Sequence, residues 1–237
     1  MKIQETIQQV AARLDSADLC YGHGTDNPLD EAFYLIYGLL DIDFADEQAA
    51  QRELNVGEEV MLEAAVKRRI DERVPTAYLV RRAWFAGHEF YCDERALVPR
   101  SPLAELINGE FEPLLHEPAA KVLDICTGGG SIGIATALLW PDCEVDLVDI
   151  SPDALDLAKK NIALHGLGSR VRTIQSNLFD DIDSHYELIL ANPPYVAVQE
   201  YEELPAEFAN EPSLGLISAD NGLRIPLKIL RDSVDYL

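Results

Sequence analysis

The chain has 237 residues, of which 48% are hydrophobic and 8% aromatic. This length is enough to bury a sizeable core, and the composition excludes a disordered, collagen-like or coiled-coil protein. Nineteen Lys and Arg stand against 42 Asp and Glu, which gives a formal net charge of −23. A field of this sign repels phosphate backbones and anionic membrane surfaces, and it attracts a basic partner.

The apolar stretches and the cysteines bear on the cellular compartment. No apolar stretch approaches the roughly 18 to 20 residues of a membrane-spanning helix, and the amphipathic N-terminus has no signal-peptide core. The four cysteines form no C-x-x-C pair, and neither they nor the five histidines have the spacing of a metal site. We therefore expect a cytoplasmic protein with no metal, no disulfide and no membrane association. The cysteines are interpreted as buried small hydrophobic residues, least securely for Cys126.

Residues 1–75 have the pattern of a small helical domain. Apolar residues recur at helical spacing from Ile3 to Leu14, a second apolar run over 30–40 follows Asn27-Pro28, and a third covers about 57–73. Residues 76–100 are rich in aromatic and β-branched residues with a glycine turn signal, which predicts a linking β-hairpin.

Residues 101–237 alternate between strand-like and helix-like segments. The predicted strands are 121–125, 144–150, 171–175 and 187–191, and the predicted helices are 103–115, 132–140, 154–165 and 223–236. Such alternation indicates an α/β fold with a parallel sheet, which binds ligands at the carboxyl ends of its strands. Because no strand pattern follows residue 191, we expect that the chain is truncated or that another segment covers that flank of the sheet.

A glycine-rich loop follows the first of these strands and opens a helix. Within it, Gly128, Gly130 and Gly133 match G-x-G-x-x-G, and Asp149 lies 19 residues beyond Gly130 at the end of the next strand. This spacing is typical of a nucleotide site in which the acid accepts the ribose hydroxyls. The alternative is a glycine-rich turn with a solvated aspartate.

The nature of the ligand depends on Asp124 and on the turn after the third strand. A carboxylate at Asp124 disfavours phosphate and favours a ligand with an ammonium group and no phosphate, such as S-adenosylmethionine. The alternative for Asp124 is a helix cap or a hydrogen bond that braces the loop. Asn177 is predicted to bond an adenine edge with Leu178 beside it, or else to be an ordinary turn asparagine.

The sequence Asn192-Pro193-Pro194-Tyr195 ends the fourth strand. The prolines fix two φ angles and remove two N–H donors, so the segment offers acceptors only, the Asn192 side-chain oxygen and the Pro193 carbonyl. Such a wall suits a planar –NH2 group, with Tyr195 over its plane. Holding both hydrogens orients the nitrogen lone pair for displacement at a sulfonium methyl, so positioning carries most of the catalysis. A proline-rich strand end without function is the alternative.

Together these features resemble the class I S-adenosylmethionine-dependent methyltransferases. The N-P-P-Y subset includes N(6)-adenine DNA methyltransferases and N(5)-glutamine protein methyltransferases. The helical domain and hairpin are similar to the glutamine branch, as are these segments: Val98-Pro99-Arg100, Glu211-Pro212, Gly215-Leu216 and Asp220-Asn221-Gly222-Leu223. Ser101-Pro102 after the hairpin, together with residues 21–31, resembles the enzymes that modify a large-subunit ribosomal protein more than those that modify release factors.

The resemblance implies a Rossmann-like catalytic domain over 101–237 and substrate recognition by residues 1–75. It implies that Asn192, Pro193, Pro194 and Tyr195 hold the glutamine amide. The implied cofactor contacts are Asp124, Ile125, Cys126, Thr127, Gly128, Gly130, Asp149, Ile150, Asn177, Leu178 and Asn192.

Charge and motifs separate the competing functions. An adenine methyltransferase of DNA or RNA should carry a basic groove, which a net charge of −23 opposes, whereas a basic ribosomal protein is a suitable partner. A nicotinamide dehydrogenase would explain the glycine loop but not Asn192-Pro193-Pro194-Tyr195. A non-catalytic binder in ribosome assembly would not require that motif.

Overall fold

The computed structural model describes residues 1–237, which form two compact units. Unit 1 comprises Met1–Arg82 together with Pro205–Asn210, and unit 2 comprises Ala83–Leu204 together with Glu211–Leu237. Unit 1 is therefore discontinuous along the chain. No helix in either unit has the length and apolar character needed to cross a membrane.

Unit 1 contains the three helices that the sequence predicts, which are α1 (Ile3–Asp15), α2 (Pro28–Leu39) and α3 (Val56–Asp71). A fourth helix, α4 (Thr76–Val80), lies in the stretch predicted as a hairpin. Asn27 caps α2, because its side-chain oxygen accepts the backbone N–H groups of Leu29 and Asp30. The predicted apolar face of α1 is buried, and α1 packs against α2.

A buried arginine organises the interior of unit 1. Arg69 is only 1% exposed, and its guanidinium donates hydrogen bonds to the carboxylates of Glu31 and Glu207. The Thr76 hydroxyl also donates to Glu31. Since Glu207 lies in the 205–210 segment, this short segment supplies one of the two carboxylates that compensate the buried charge. Removing one partner from such a cluster leaves an uncompensated buried charge, which is strongly destabilising.

Unit 2 is built on a parallel sheet, which confirms the predicted α/β fold. The strands of the molecule are β1 (Arg82–Phe85), β2 (His88–Tyr91), β3 (Lys121–Ile125), β4 (Glu144–Asp149), β5 (Val171–Gln175) and β6 (Leu188–Ala191). The four-stranded sheet has the order β5-β4-β3-β6, and every pair in it is parallel. The remaining helices are α5 (Leu103–Asn108), α6 (Ser131–Leu139), α7 (Pro152–Leu164), α8 (Val198–Tyr201) and α9 (Arg224–Asp232).

Both faces of this sheet carry apolar clusters, as in other parallel sheets that are covered on both sides. Val122 and Leu147 belong to one hydrophobic cluster, which includes residues of α6 and α7. Leu123 and Val148, their neighbours in sequence, belong to a second cluster, which includes Ile229 of α9. Alternate residues of a strand point to opposite faces, so the sheet is packed between two apolar layers.

The predicted hairpin over 76–100 is wrong in its extent. Only β1 and β2 form it, and residues 76–80 are helical in α4. Thr76 and Tyr78 are buried, so the aromatic and β-branched content of this stretch reflects burial in unit 1 rather than strand pairing. Arg81, with φ of 60°, ends the helix in the left-handed conformation.

The predicted helix over 103–115 is also too long. It ends at Asn108, and Glu110 and Phe111 then adopt left-handed backbone with φ of 54° and 61°. Phe111 is buried with its ring centroid 5.0 Å from that of Trp140. Gly109 is the C-cap residue and Pro113 cannot continue a helix, so local residues end α5, and Phe111 packs against Trp140 beyond that end.

Candidate active site

A cavity of about 220 Å³ lies in unit 2 at the carboxyl ends of the parallel strands. Ten of the predicted site residues line it: Ile125, Cys126, Thr127, Gly128, Asp149, Ile150, Asn177, Leu178, Asn192 and Pro194. Four do not: Asp124, Gly130, Pro193 and Tyr195. The strand register explains why these residues lie together, because Ile125 at the end of β3 pairs with Val148 of β4 and with Ala191 of β6. The loops that follow these strands therefore meet at one edge of the sheet.

The glycine loop joins β3 to α6 through a tight turn. Gly130 occupies the cap position of α6 with φ of 85°, which a residue with a Cβ adopts only with strain. Gly133 in the first turn of α6 lies against the sheet, since a Cβ there would come within 2.3 Å of Leu147 and 3.0 Å of Asp124. Glycine at these positions permits close packing of the helix on β3 and β4 rather than contact with a ligand.

Asp149 ends β4 and presents its carboxylate at the cavity. Its Oδ2 accepts the backbone N–H of Gly128 at 2.8 Å, and its Oδ1 accepts that of Ser151 at 2.9 Å. Burial raises the pKa of this carboxyl above its ordinary value, although backbone hydrogen bonds act to lower it. A carboxylate has about four acceptor positions, and the Ile150 backbone N–H also bonds this one, so an acceptor position remains for a hydroxyl group of a ligand.

Asp124 braces the loop from beneath. Its side chain is fully buried, and its Oδ2 accepts the Thr127 hydroxyl at 2.5 Å and the Gly133 N–H at 2.9 Å. Burial raises the pKa of Asp124 to about 7, and its Oδ1 has no hydrogen-bond partner. Asp124 does not line the cavity, and its hydrogen bonds match the loop-bracing alternative, so its direct contact with a ligand stays a prediction.

Asn192 immediately follows β6 and lines the cavity with Pro194. Its Nδ2 donates to the Arg100 backbone carbonyl at 3.3 Å, which leaves Oδ1 as the acceptor that the side chain can offer. Tyr195 is 65% exposed and lies outside the cavity lining, so it does not cover a group bound there in this conformation. Of the predicted acceptor wall, Asn192 and Pro194 line the cavity, whereas Pro193 and Tyr195 lie outside the lining.

Two arginines that the sequence pattern did not single out as ligand contacts line the same cavity. Arg95 donates to both carboxylate oxygens of Asp93, and Arg100 donates to both oxygens of Glu211. Their charges are compensated by these carboxylates, so neither arginine brings an unpaired positive charge to the cavity. This agrees with a ligand that carries hydroxyl and amine groups and no phosphate.

Comparison with known proteins identifies the family. The model of the methyltransferase small domain matches residues 111–211. The ribosomal protein uL3 glutamine methyltransferase of Xanthomonas campestris pv. campestris is 46% identical over 99% of this chain and 77% of its own length. The chain belongs to the uL3 glutamine methyltransferase family. The uL3 glutamine methyltransferase of Francisella tularensis subsp. tularensis is 38% identical over 99% of this chain and 76% of its own length.

Solved structures agree with the methyltransferase fold. The catalytic domain of hMettl16, in complex with the MAT2A 3′UTR hairpin 1, has a TM-score of 0.51 and 18% identity, covering 78% of this chain and 66% of that chain. At this identity the likeness concerns the fold alone. The chain therefore combines a class I methyltransferase fold with sequence similarity to the uL3 glutamine methyltransferase family over nearly its full length.

Several lining residues of this family member come from segments whose positions the sequence alone does not relate. They are Arg95, Ala96, Leu97, Val98, Pro99, Arg100, Pro212, Leu214, Gly215, Ile217 and Ile225. The segments 95–100 and 212–217 are more than 100 residues apart in sequence. The sequence contains one indication that both segments belong to the site: each has a motif similar to the glutamine methyltransferases, Val98-Pro99-Arg100 in the first and Gly215-Leu216 in the second.

Proposed function

We propose that this chain transfers a methyl group from S-adenosylmethionine to the side-chain amide nitrogen of a glutamine in a large-subunit ribosomal protein. The observation that carries the proposal is that one cavity joins the glycine loop and Asp149 to the Asn192 acceptor wall. The names of the two relatives support a uL3 protein as the substrate. Such a substrate would be met in the cytoplasm.

The residues of the cavity fit the cofactor. Asp149 presents its carboxylate to the cavity, where it can accept a ribose hydroxyl, and Ile150, Leu178 and Asn177 offer an apolar surface and an amide for the adenine. The two arginines of the lining are already paired with carboxylates, which suits S-adenosylmethionine because it carries no phosphate. When bound, this group supplies an electrophilic methyl on a sulfonium.

The acceptor wall fits the glutamine amide. The Asn192 side-chain oxygen and the Pro193 carbonyl accept the two amide hydrogens, so the nitrogen lone pair is directed towards the methyl carbon. The nitrogen–carbon bond forms as the carbon–sulfur bond breaks, and the amide proton leaves afterwards. Since the sulfonium charge is lost in this step, alignment by rigid residues contributes more than a strong general base.

The charge of the protein fits a basic protein substrate. With a net charge of −23, the enzyme attracts a basic ribosomal protein over distances up to about a Debye length, roughly 8–10 Å at physiological salt. We propose that residues 1–75 recognise this substrate. The KM for the protein substrate should therefore rise with ionic strength, while the affinity for S-adenosylmethionine, which engages a compensated cavity, should change little.

The test is methyl transfer from labelled S-adenosylmethionine by the wild type, the Asn192→Ala variant and an Asn108→Ala control. Asn108 is exposed at the end of α5 and lies outside the cavity lining. The substrates are uL3, a peptide chain release factor and DNA, with mass spectrometry to locate the label. Label on one uL3 glutamine that is lost only in the Asn192→Ala variant supports the proposal.

Other outcomes select the alternatives. Label on the release factor in preference to uL3 would assign the enzyme to the sister branch, and label on adenine would overturn both the charge reasoning and the amide assignment. Cofactor binding without transfer to any substrate would indicate a binding role in ribosome assembly.

A further inference from the structure

The orientation of the Asn192 amide decides which chemical group the cavity accepts. A primary amide carries an acceptor oxygen and a donor –NH2 at similar positions, so a half-turn about its last bond exchanges the two. In this structure the Arg100 carbonyl accepts Nδ2, and that contact selects the orientation with the oxygen available. With the opposite orientation, –NH2 would face the –NH2 of a glutamine substrate. The placement of the Arg100 carbonyl therefore bears directly on amide recognition.

Glu211 holds the segment that carries this carbonyl. Its Oε1 accepts Nη1 of Arg100 at 2.7 Å and also the backbone N–H of Val98 at 2.9 Å, and its Oε2 accepts Nη2 of Arg100. The Glu211 side chain is completely buried. One carboxylate thus fixes residues 98–100 at two points, the backbone of Val98 and the side chain of Arg100. Such charge-assisted, bidentate contacts are both strong and directional.

We propose that Glu211 is a positioning residue for methyl transfer, which fixes the Arg100 carbonyl so that the Asn192 amide presents its oxygen to the substrate –NH2. This inference rests on the proposed function and deepens it, because it makes the site selective for a neutral amide that donates two hydrogens. Glu211 itself contacts neither substrate nor cofactor; it acts through Arg100 and Asn192.

A purely structural role for the Glu211–Arg100 pair is the competing explanation, and the chain offers a matched control. Asp146 is also a buried carboxylate bonded bidentately to an arginine, with its Oδ1 2.6 Å from Nε and its Oδ2 3.0 Å from Nη2 of Arg172. Both pairs lie in unit 2, and neither Asp146 nor Arg172 lines the cavity. Loss of either carboxylate should lower stability, whereas only loss of Glu211 should alter the site.

The experiment uses the full chain with Glu211→Ala, Glu211→Gln and Asp146→Ala. Thermal unfolding, S-adenosylmethionine affinity by calorimetry, and kcat and KM on uL3 are measured below the unfolding temperature of every variant. The side-chain amide signal of Asn192 is followed by ¹⁵N NMR in the free protein and is assigned by its loss in the Asn192→Ala variant. This signal reports the amide orientation without turnover.

We expect Glu211→Ala to lower kcat about 100-fold, as for a misplacement of about 1 Å, with cofactor affinity within twofold of wild type. Glu211→Gln should have a kcat about tenfold higher than that of Glu211→Ala, because its amide oxygen still accepts a hydrogen bond from Val98 or Arg100. In Glu211→Ala the Asn192 amide signal should shift and its protons should exchange faster. Asp146→Ala should lower the unfolding temperature but leave kcat within twofold and the amide signal unchanged.

Two results would overturn the inference: an unchanged Asn192 signal and kcat in Glu211→Ala, or an equal loss of kcat in Asp146→Ala. A wild type that methylates no glutamine would instead refute the proposed function. The NMR comparison would still decide whether Glu211 orients Asn192, so the two failures are distinguishable.

Discussion

Gly222→Ala should disable the amide pocket without removing any functional group. Gly222 has φ of 82°, and a Cβ at this position would lie 2.0 Å from the Tyr195 carbonyl oxygen and 2.8 Å from its carbonyl carbon. Ordinary contact begins at 3.4 Å, so the Tyr195 backbone would have to retreat by about 1.4 Å. Tyr195 follows Pro194, which lines the cavity, so the displacement is transmitted to the wall that we propose holds the substrate amide.

The expected loss follows from this displacement. A misplacement of about 1 Å costs on the order of 10²-fold in rate, so kcat should fall about 100-fold. S-adenosylmethionine affinity should stay within about threefold, because Asp149 and the glycine loop are untouched. The left-handed backbone adds a strain of about 1 kcal/mol to the folded state, which should appear as a lower unfolding temperature.

Gly166→Ala is the matched control. Gly166 also lies in unit 2 with a positive φ of 66°, but a Cβ there meets nothing within 4 Å. It therefore reproduces the backbone strain without the clash. Steady-state kinetics on uL3 and calorimetry of cofactor binding compare the two variants. Equal kcat in Gly222→Ala and Gly166→Ala would refute the reasoning.

Three further predictions concern single charged residues. Asp149→Asn should weaken S-adenosylmethionine binding by 10- to 100-fold in calorimetry, because charge-assisted hydrogen bonds contribute about 1.5–3 kcal/mol, while Asp153→Asn in the exposed first turn of α7 should leave binding unchanged. Asp124→Asn should alter the pH dependence of stability. Burial raises the pKa of Asp124 from 3.8 to about 7, so its contribution to the free energy of unfolding is present at pH 4 and is lost as the pH rises through 7. Wild type should accordingly lose about 4 kcal/mol relative to Asp124→Asn between pH 4 and pH 8 in urea unfolding, and a constant difference would contradict the raised pKa. Arg69→Met should destabilise unit 1 by about 3–5 kcal/mol, because two buried carboxylates lose their cation, whereas Arg68→Met, whose side chain is 55% exposed, should change stability by less than about 0.5 kcal/mol. Equal losses of stability in Arg69→Met and Arg68→Met would show that the buried cluster of Arg69, Glu31 and Glu207 does not stabilise unit 1.

The sheet strands could be predicted closely because their apolar runs end at punctuating residues. The predicted segment 121–125 coincides with β3, where glycines follow at once, and 187–191 overlaps β6, where two prolines stop the strand. Because consecutive strands of such a sheet are parallel, the loops that follow them lie at the same edge. Most of the motif residues that line the cavity could therefore be predicted.

The remaining features depend on contacts between distant residues. The helical pattern over 103–115 gives no sign that Phe111 is buried beside Trp140, a contact made after the helix has ended at Asn108. The sequence around Asp124 favours a ligand contact over a brace, whereas the burial of its side chain and its hydrogen bonds within the loop match the brace. The bond from Glu211 to Arg100 joins residues 111 positions apart, for which no local pattern exists.

The discontinuity of unit 1 limits how this protein could be divided or recombined. A contiguous fragment that ends at Arg82 would retain Arg69 and Glu31 but lose Glu207, and a fragment that begins at Ala83 would carry Glu207 without its cation. A single crossover between two relatives at this boundary would join an arginine and a carboxylate that did not evolve together. An exchange of unit 1 between relatives would therefore need a second exchanged segment, so that residues 205–210 are transferred together with the helices that they complete.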